Sequence, residues 1–439
     1  MQLKPSTIKR RFFDVLADAT ENISEFVKSP GKDMTRNRDC TFIDTVLITC
    51  SFSAKRINTE LFDFFSAKKA RIPSKSALIQ QRNKLNNKLF PYIFSSFNEK
   101  VPFTKTCKGL HLIAVDGSDL NLPTCKNDHI YAVKQARSDD FYYQMHLNAA
   151  YDILERRYCG MEIQPRPKMN EGKAFRSLVA SYGNPGSALF IADRGYISYN
   201  NVAFLQESGH FFLIRSKSPD SSASFLRHVV TDESPDDVDI CLNLTRSRKR
   251  EYVKHPEKYK LIHGSREFLY IPIGDNESIF ELGFRVVRFP IGDNSTEYIV
   301  TNLPREDFPA DTIKKLYDMR WGIETSFRSL KYALSLSFLH SVKRELIIQE
   351  VYAKLIAYNF SSLLHAYADE RKQYKSRKGL VYKVSFEGVI PIALRFFIVR
   401  MSNDTIEALM TRNLTEIRKN IHNPRKIRSQ TVKPLGNRA

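Results

Sequence analysis

The sequence lacks long apolar runs and paired cysteine motifs, and it has only one tryptophan. No apolar stretch approaches the roughly 20 residues that a membrane helix needs, and the first residues carry no signal-peptide core. The six cysteines are scattered without a C-x-x-C pair. This argues against a structural zinc site and against a secreted disulfide framework. We therefore expect a cytoplasmic protein with no membrane partner.

Acidic residues are also few compared with basic ones. Lysine and arginine number 68 against 48 acidic residues, a formal net charge of +20. Such an excess favours a polyanionic partner, because neutralised phosphates release condensed counterions. A basic soluble protein without such a partner is the alternative. The 439 residues and the 42% hydrophobic share are otherwise typical of a globular chain with about two to four domains.

Residues 1–105 are predicted to form a helical region, since apolar residues recur there at three- and four-residue spacing. Pro73 and Ser74 mark the start of one helix, and Lys75, Arg82 and Lys84 follow within reach of a phosphate backbone. This pattern fits a helix-turn-helix that binds DNA ends and a plain helical bundle equally well.

The period changes near residue 109. Short apolar runs alternate with helical stretches in the order three strands, helix, strand, helix, strand, which predicts an α/β fold with one mixed sheet. The second and third strands form a predicted hairpin over 146–163. The next stretch carries four short β-rich segments, 240–244, 268–271, 284–287 and 298–300, and helices resume at Asp311 and run to about residue 410.

These patterns divide the chain into six predicted regions. They are the helical region 1–105, the first part of an α/β core at 106–215, a β-rich insertion at 216–302, the second part of the core at 303–345, a C-terminal helical region at 346–411 that is a candidate for dimerisation, and a basic tail at 412–439. The tail either adds non-specific DNA affinity or is a solvated segment without a role.

Two apolar runs end on an acid, at Asp116 before Gly117 and at Asp193 before Arg194-Gly195. An ionised carboxylate beside apolar packing is costly unless its charge is offset. If the two strands are parallel neighbours, both acids emerge at one sheet edge, and a divalent cation would relieve their repulsion. Either Asp alone is more typical of a turn or a helix cap.

A third acid, Glu324, lies on a helix with an unusual charged face. At about 100° per residue, Tyr317, Arg320, Arg328 and Lys331 fall near it, while Ile323, Phe327, Leu330 and Leu334 form a neighbouring apolar stripe. A salt-bridged surface helix is the alternative, but three cations exceed what one acid needs. Gly322 weakens this helix, so a break near it would rotate Tyr317 and Arg320.

The spacing of Tyr317, Arg320, Glu324 and Lys331 resembles the Y-R-E-K signature of bacterial insertion-sequence transposases with a DDE catalytic domain. The sequences around Asp116 and Asp193 agree with that family, and the resemblance covers roughly residues 30–360. It implies an RNase H-like mixed-sheet core with an inserted β-rich subdomain, flanked by helical regions.

The resemblance also implies an activity. Asp116, Asp193 and Glu324 would hold two Mg²⁺ ions, with Mn²⁺ expected to substitute, and would catalyse strand cleavage and strand transfer in cut-and-paste transposition. Tyr317, Arg320 and Lys331 would contact double-stranded DNA near the transposon end, and Arg328, on the same face of the predicted helix, is a further candidate for DNA contact. The partners implied are DNA and a second copy of the chain in a synaptic homodimer, associated with the bacterial nucleoid when bound.

Two alternatives stay open: a catalytically silent DNA-binding derivative, and a non-transposing RNase H-like nuclease. Some related transposases form a DNA hairpin and hold a flipped base with an aromatic residue of the insertion. Here Trp321 lies in the signature helix instead. Tyr252, Tyr259 and Phe268 are candidates for that role, although such residues are more often core or strand aromatics.

Overall fold

The N-terminal region is helical, as predicted. The computed structural model describes residues 3–36, 38–125, 128–135, 139–182, 187–291, 295–369, 374–375 and 381–416. Its first helices are α1 (Pro5–Glu21), α2 (Ile23–Phe26), α3 (Phe42–Ser51), α4 (Ile57–Lys68), α5 (Lys75–Lys84) and α6 (Leu89–Lys100). The Ser74 hydroxyl accepts a hydrogen bond from the Ala77 amide and caps α5, which confirms the predicted helix start. Arg82, however, is buried and pairs with Glu350 at 3.0 Å, so it does not face a DNA backbone.

A mixed sheet follows. Its first strands are β1 (His111–Leu122), β2 (Ala132–Lys134), β3 (Phe141–Asp152) and β4 (Arg157–Pro165). A 3₁₀ turn (Arg166–Lys168) and α7 (Glu171–Tyr182) lead to β5 (Ala188–Ala192), α8 (Tyr199–Glu207) and β6 (Phe211–Ser216). β3 pairs antiparallel with both β1 and β4, whereas β1, β5 and β6 are parallel. The order β4-β3-β1-β5-β6 confirms the mixed α/β core that the resemblance implies.

The strands after β6 extend the same sheet. They are β7 (Asp237–Thr245), β8 (Tyr259–Leu261), β9 (Ile279–Ile291) and β10 (Ser295–Thr301), with a short helix α9 (Arg250–Lys254). β10 pairs with β6, so the sheet continues in the order β6-β10-β9-β7-β8. The predicted strand at 268–271 is wrong. That segment is a turn in which Phe268 is buried against Tyr270 and Phe280, so its apolar character reflects packing and not strand pairing.

The helices after β10 form several separate segments, with a break near Gly322 as the sequence predicts. They are α10 (Ala310–Asp318), α11 (Trp321–Arg328), a π-helical turn (Ser329–Ala333), α12 (Arg344–Asp369), α13 (Phe386–Ile398) and α14 (Asn403–Met410). The break lies at Met319–Arg320, just before Gly322. Short strands β11 (Tyr374–Lys375), β12 (Val381–Val384) and β13 (Leu414–Glu416) form a second sheet. Most of the predicted basic tail, from residue 417 onward, lies outside the described residues.

Both faces of the main sheet are covered, which explains why its central strands are apolar almost throughout. Ile113 and Val115 pack on one face with α7 and α8. Leu112 packs on the opposite face with residues of α10, and Ala114 lies on that face in the cluster that includes α11 and α12. None of the helices in the described part of the chain is long and apolar enough to cross a membrane.

Candidate active site

Asp116 and Asp193 lie side by side on the two parallel strands at the centre of the sheet. Val115 of β1 is in register with Ala192, the last residue of β5. Asp116 and Asp193 are the residues that follow this pair along the chain. Because side chains alternate along a strand, both acids point to the face that carries α10 and α11. We had expected Asp116 to end its strand, but it does not. β1 continues to Leu122 because β3 pairs with it along that whole length.

Glu324 is brought to the same face by α11. The Arg320 guanidinium donates to the Glu324 carboxylate at 2.9 Å and lies 3.9 Å from a carboxylate oxygen of Asp116. The Tyr317 hydroxyl lies 3.5 Å from Asp193. The structure therefore gathers Asp116, Asp193, Glu324, Tyr317 and Arg320 into one group, although the chain supplies them from three distant segments.

The electrostatics of this group centre on Asp116. Burial raises the pKa of Asp116 to about 6, and the negative charges of Glu324 and Asp193 add to that rise. The Gly117 amide and Arg320 act in the opposite direction. Burial alone would lower the pKa of Arg320, but nearby Tyr317 and the three acids raise it above its usual value. The acids thus form a partly buried negative centre that one guanidinium only partly neutralises.

A further cation at this centre was not found from the sequence. Arg215, at the end of β6, lies 3.0 Å from Asp193 and 3.2 Å from Glu297 of β10. The only signal for it in the sequence is its position after the apolar run Phe211–Ile214. Arg215 and Tyr317 therefore both approach the same oxygen, Oδ1, of the Asp193 carboxylate.

Lys331 and Arg328 differ from Tyr317 and Arg320, whose side chains lie beside the acids. The Lys331 ammonium donates to the Asp119 carbonyl at 2.6 Å, and burial lowers the pKa of Lys331. Arg328 is exposed at the end of α11. Lys331 lies within the π-helical turn that follows α11, where regular α-helical geometry ends. The apolar stripe is confirmed, because Ile323, Phe327, Leu330 and Leu334 are all buried.

A second charged cluster lies on the other face of β1 and was also missed. Asp119 is opposite His146 across the β1–β3 pair, and its carboxylate lies 2.6 Å from the imidazole Nδ1. The imidazole Nε2 lies 3.3 Å from Glu171 at the start of α7. Burial opposes charge on His146, but the two carboxylates outweigh it and raise the pKa of His146 to about 9. A Cβ at Gly117 would lie 2.5 Å from this imidazole.

The three acids suit a hard divalent cation by their chemistry, because Mg²⁺ prefers carboxylate and phosphate oxygens. Their side chains are not closed around a common point, however. Within the described residues, no group of three or more His, Cys, Asp or Glu side chains is arranged to hold a metal ion. The positive charge that lies between Asp116 and Glu324 here is the Arg320 guanidinium.

Comparison with known proteins shows which family this chain is similar to. A sequence model of the family described as "Transposase DDE domain" matches residues 108–360. Among curated proteins, the transposase for insertion sequence element IS231B of Bacillus thuringiensis subsp. berliner is 21% identical over 239 residues, covering 47% of this chain and 47% of that protein. The IS231D transposase of subsp. finitimus is 22% identical over 313 residues, covering 64% and 63%. The chain spans about half the length of the first of these relatives.

Among solved structures, the piggyBac transposase in a synaptic complex with hairpin DNA is similar, with a TM-score of 0.45 and 10% identity. The match covers 96% of this chain and 87% of that one. A likeness at this level supports no statement about the chain beyond what the family match gives.

Proposed function

The chain belongs to the transposase DDE domain family, and from this premise we propose that it is the transposase of a bacterial insertion sequence. In this proposal it binds the terminal inverted repeats of the element and catalyses cleavage and transfer of DNA strands. The observation that carries the proposal is the contact of Arg320 with both Glu324 and Asp116, because it joins the third acid to the first across a long separation in sequence.

We propose that Asp116, Asp193 and Glu324 are the catalytic acids and the ligands of two Mg²⁺ ions, for which Mn²⁺ substitutes. When bound, such ions activate the attacking oxygen and stabilise the leaving oxygen of a phosphodiester. The chain's own part is to hold the carboxylates in place. Arg215 and Tyr317 contact Asp193, and the Gly117 amide donates to Asp116 at 2.9 Å.

We further propose that Tyr317, Arg320, Lys331 and Arg328 contact the DNA. Arg320 is suited to this role because its planar guanidinium matches phosphate geometry and it is held beside the acids. Arg328 is exposed and free to reach a strand that lies along α11. Lys331 donates to the Asp119 carbonyl and Arg320 is buried against Glu324, so each would have to exchange its present partner for a phosphate to contact the strand.

The proposed partners are double-stranded DNA and a second copy of this chain in a synaptic homodimer, with the DNA-bound protein on the nucleoid. Residues 1–105 are proposed to bind the transposon ends and residues 346–411 to contribute to dimerisation. Sizing of the chain with and without a terminal-repeat duplex tests this, since a complex that keeps one copy of the chain per pair of ends contradicts the homodimer.

A strand-cleavage assay tests the catalytic proposal. The substrate is a duplex with the element's terminal repeats and flanking donor DNA, and Mg²⁺ starts the reaction. We expect Asp193→Asn and Glu324→Gln each to abolish cleavage and to leave end binding largely intact. Asp318→Asn is the matched control, because Asp318 is an exposed acid next to Tyr317. Cleavage by either site variant at the wild-type rate removes that residue from the site.

The same assay separates the alternatives. Cutting followed by joining to a target identifies a transposase, cutting without joining identifies a nuclease that does not transpose, and binding without cutting identifies a silent derivative. The last two results both contradict the proposed function.

A further inference from the structure

The cleft that contains the acids continues toward the strands of the β-rich insertion. It has a volume of about 1020 Å³ and is lined by Asp116 and Asp193 at one end. A second cavity of about 630 Å³ adjoins it, and Tyr199, Lys260 and Arg266 line both. One continuous groove therefore runs from the acids to β8 and the loops around it.

The two ends of this groove carry opposite charge. Lys217 and Arg227 come from the loop after β6, Lys260 comes from β8, and Arg266 follows it. None of these four cations has a salt bridge among the residues that the structure describes. The neighbouring Glu267 is paired with Arg176 at 3.1 Å. The far end of the groove is thus a cationic pocket in which the lining carboxylate, Glu267, is already paired with Arg176.

Lys260 is the centre of this pocket. Burial lowers the pKa of Lys260, and the charges of Arg227 and Arg266 lower it further. Its ammonium lies 5.6 Å from the centre of the Tyr199 ring. That ring is fixed, because the Tyr199 hydroxyl donates to the Phe225 carbonyl at 2.7 Å and the two rings stack at 4.4 Å. The mutual repulsion of these positive charges destabilises the fold, and an anion bound between them would offset that repulsion.

We propose that Lys260, Arg266 and Arg227 form a binding pocket for a backbone phosphate of the DNA strand whose reacting phosphate lies at the acids. This inference rests on the proposed function and adds a second position at which the protein holds the DNA strand. A strand held at both ends of the groove has one direction and one register relative to Asp116 and Asp193. Lys217, between the loop and the acids, is placed to contact the same strand.

The salt dependence of DNA binding tests the pocket. Binding of a mixed-sequence duplex is measured over a range of salt in the presence of a chelator, so that no cleavage occurs. For the double variant Lys260→Gln/Arg266→Gln we expect the slope of log K against log salt to become less steep by about 1, since the pocket holds one phosphate and each phosphate contact contributes close to one. Lys254→Gln is the matched control, because Lys254 is exposed in α9 of the same insertion and lines neither cavity. Equal slopes for the double variant and the control overturn the proposal.

A second measurement uses the unaltered chain, so that it does not depend on how a variant folds. Lysine acetylation is followed by mass spectrometry with and without the duplex, and we expect Lys260 to be protected several-fold more than Lys254. Inorganic phosphate and thymidine monophosphate are tested at the same phosphate concentration. Equal protection by these small anions would identify a free-anion site and contradict the DNA pocket.

The two proposals fail differently. A chain that neither binds nor cleaves terminal-repeat DNA contradicts the proposed function as a whole. A chain that cleaves this DNA while Lys260 stays unprotected contradicts the pocket alone.

Discussion

Replacing Asp116 by asparagine is expected to make the protein more stable at neutral pH while removing the proposed cleavage activity. The pKa of Asp116 rises from 3.8 to about 6 on folding, because the carboxyl is buried beside Glu324 and Asp193. A rise of this size corresponds to up to about 3 kcal/mol. A carboxyl with a raised pKa favours the folded state below its unfolded pKa, and this contribution is lost as pH rises through the folded pKa. Above about pH 6 the ionised carboxylate therefore opposes folding fully.

The expected shift in melting temperature follows from the chain length. At roughly 2.1 cal/mol/K per residue, unfolding the 439 residues as one unit has an entropy of about 0.9 kcal/mol/K, so about 3 kcal/mol corresponds to about 3 °C. Asp116→Asn should melt higher than the wild type by this amount at pH 7.5, and the difference should shrink toward zero near pH 4. The measurement is thermal unfolding by circular dichroism at both pH values, in a metal-free buffer.

Asp119→Asn is the matched control on the same strand. Burial alone would raise the pKa of Asp119, but His146 and Arg166 outweigh it and lower that pKa. Its ionised form therefore stabilises the fold above its unfolded pKa, and Asp119→Asn should melt lower than the wild type at pH 7.5. A lower melting temperature for Asp116→Asn at pH 7.5, or shifts of the same sign for both variants, would refute this account of the site.

Two further predictions concern the cluster on the opposite face of β1. Gly117→Ala places a Cβ 2.5 Å from the His146 imidazole, so we expect the free energy of unfolding, measured with urea, to fall by about 1–3 kcal/mol. A urea midpoint equal to that of the wild type contradicts this prediction. For His146, whose pKa is raised to about 9, stability from the charged imidazole is complete below pH 6.5 and lost as pH rises through about 9. His146→Gln should therefore be destabilised at pH 6.5 and approach the wild-type melting temperature near pH 10, and a gap that stays constant with pH would show that the charge is not involved.

Much of the core could be predicted because its signals are local. The apolar runs before Asp116 and Asp193, the hairpin of β3 and β4, and the helices α7 and α8 all follow from periodicity and turn residues. The buried stripe on α11 follows in the same way. The six region boundaries stay predictions, although the strands after β6 join the main sheet directly.

The features that the sequence did not predict depend on contacts between distant segments of the chain. The length of β1 beyond Asp116 is set by its pairing with β3, which no local pattern encodes. The pairing of Asp119 with His146 and the contact of Arg215 with Asp193 arise from sheet register. A helical wheel assumes one unbroken helix, whereas Lys331 lies within a π-helical turn and donates to the Asp119 carbonyl, a partner that no local pattern encodes.

The order of the sheet has a consequence during synthesis of the protein. Glu324 leaves the ribosome only after every strand from β1 to β10, and the helices α10 and α11 pack on the face formed by β1 and β5. A nascent or prematurely terminated chain that stops before α11 therefore holds two of the three proposed catalytic acids and lacks the last. Under the proposed function, translation products that end before α11 would lack this acid and would be unable to nick the chromosome of the cell that makes them.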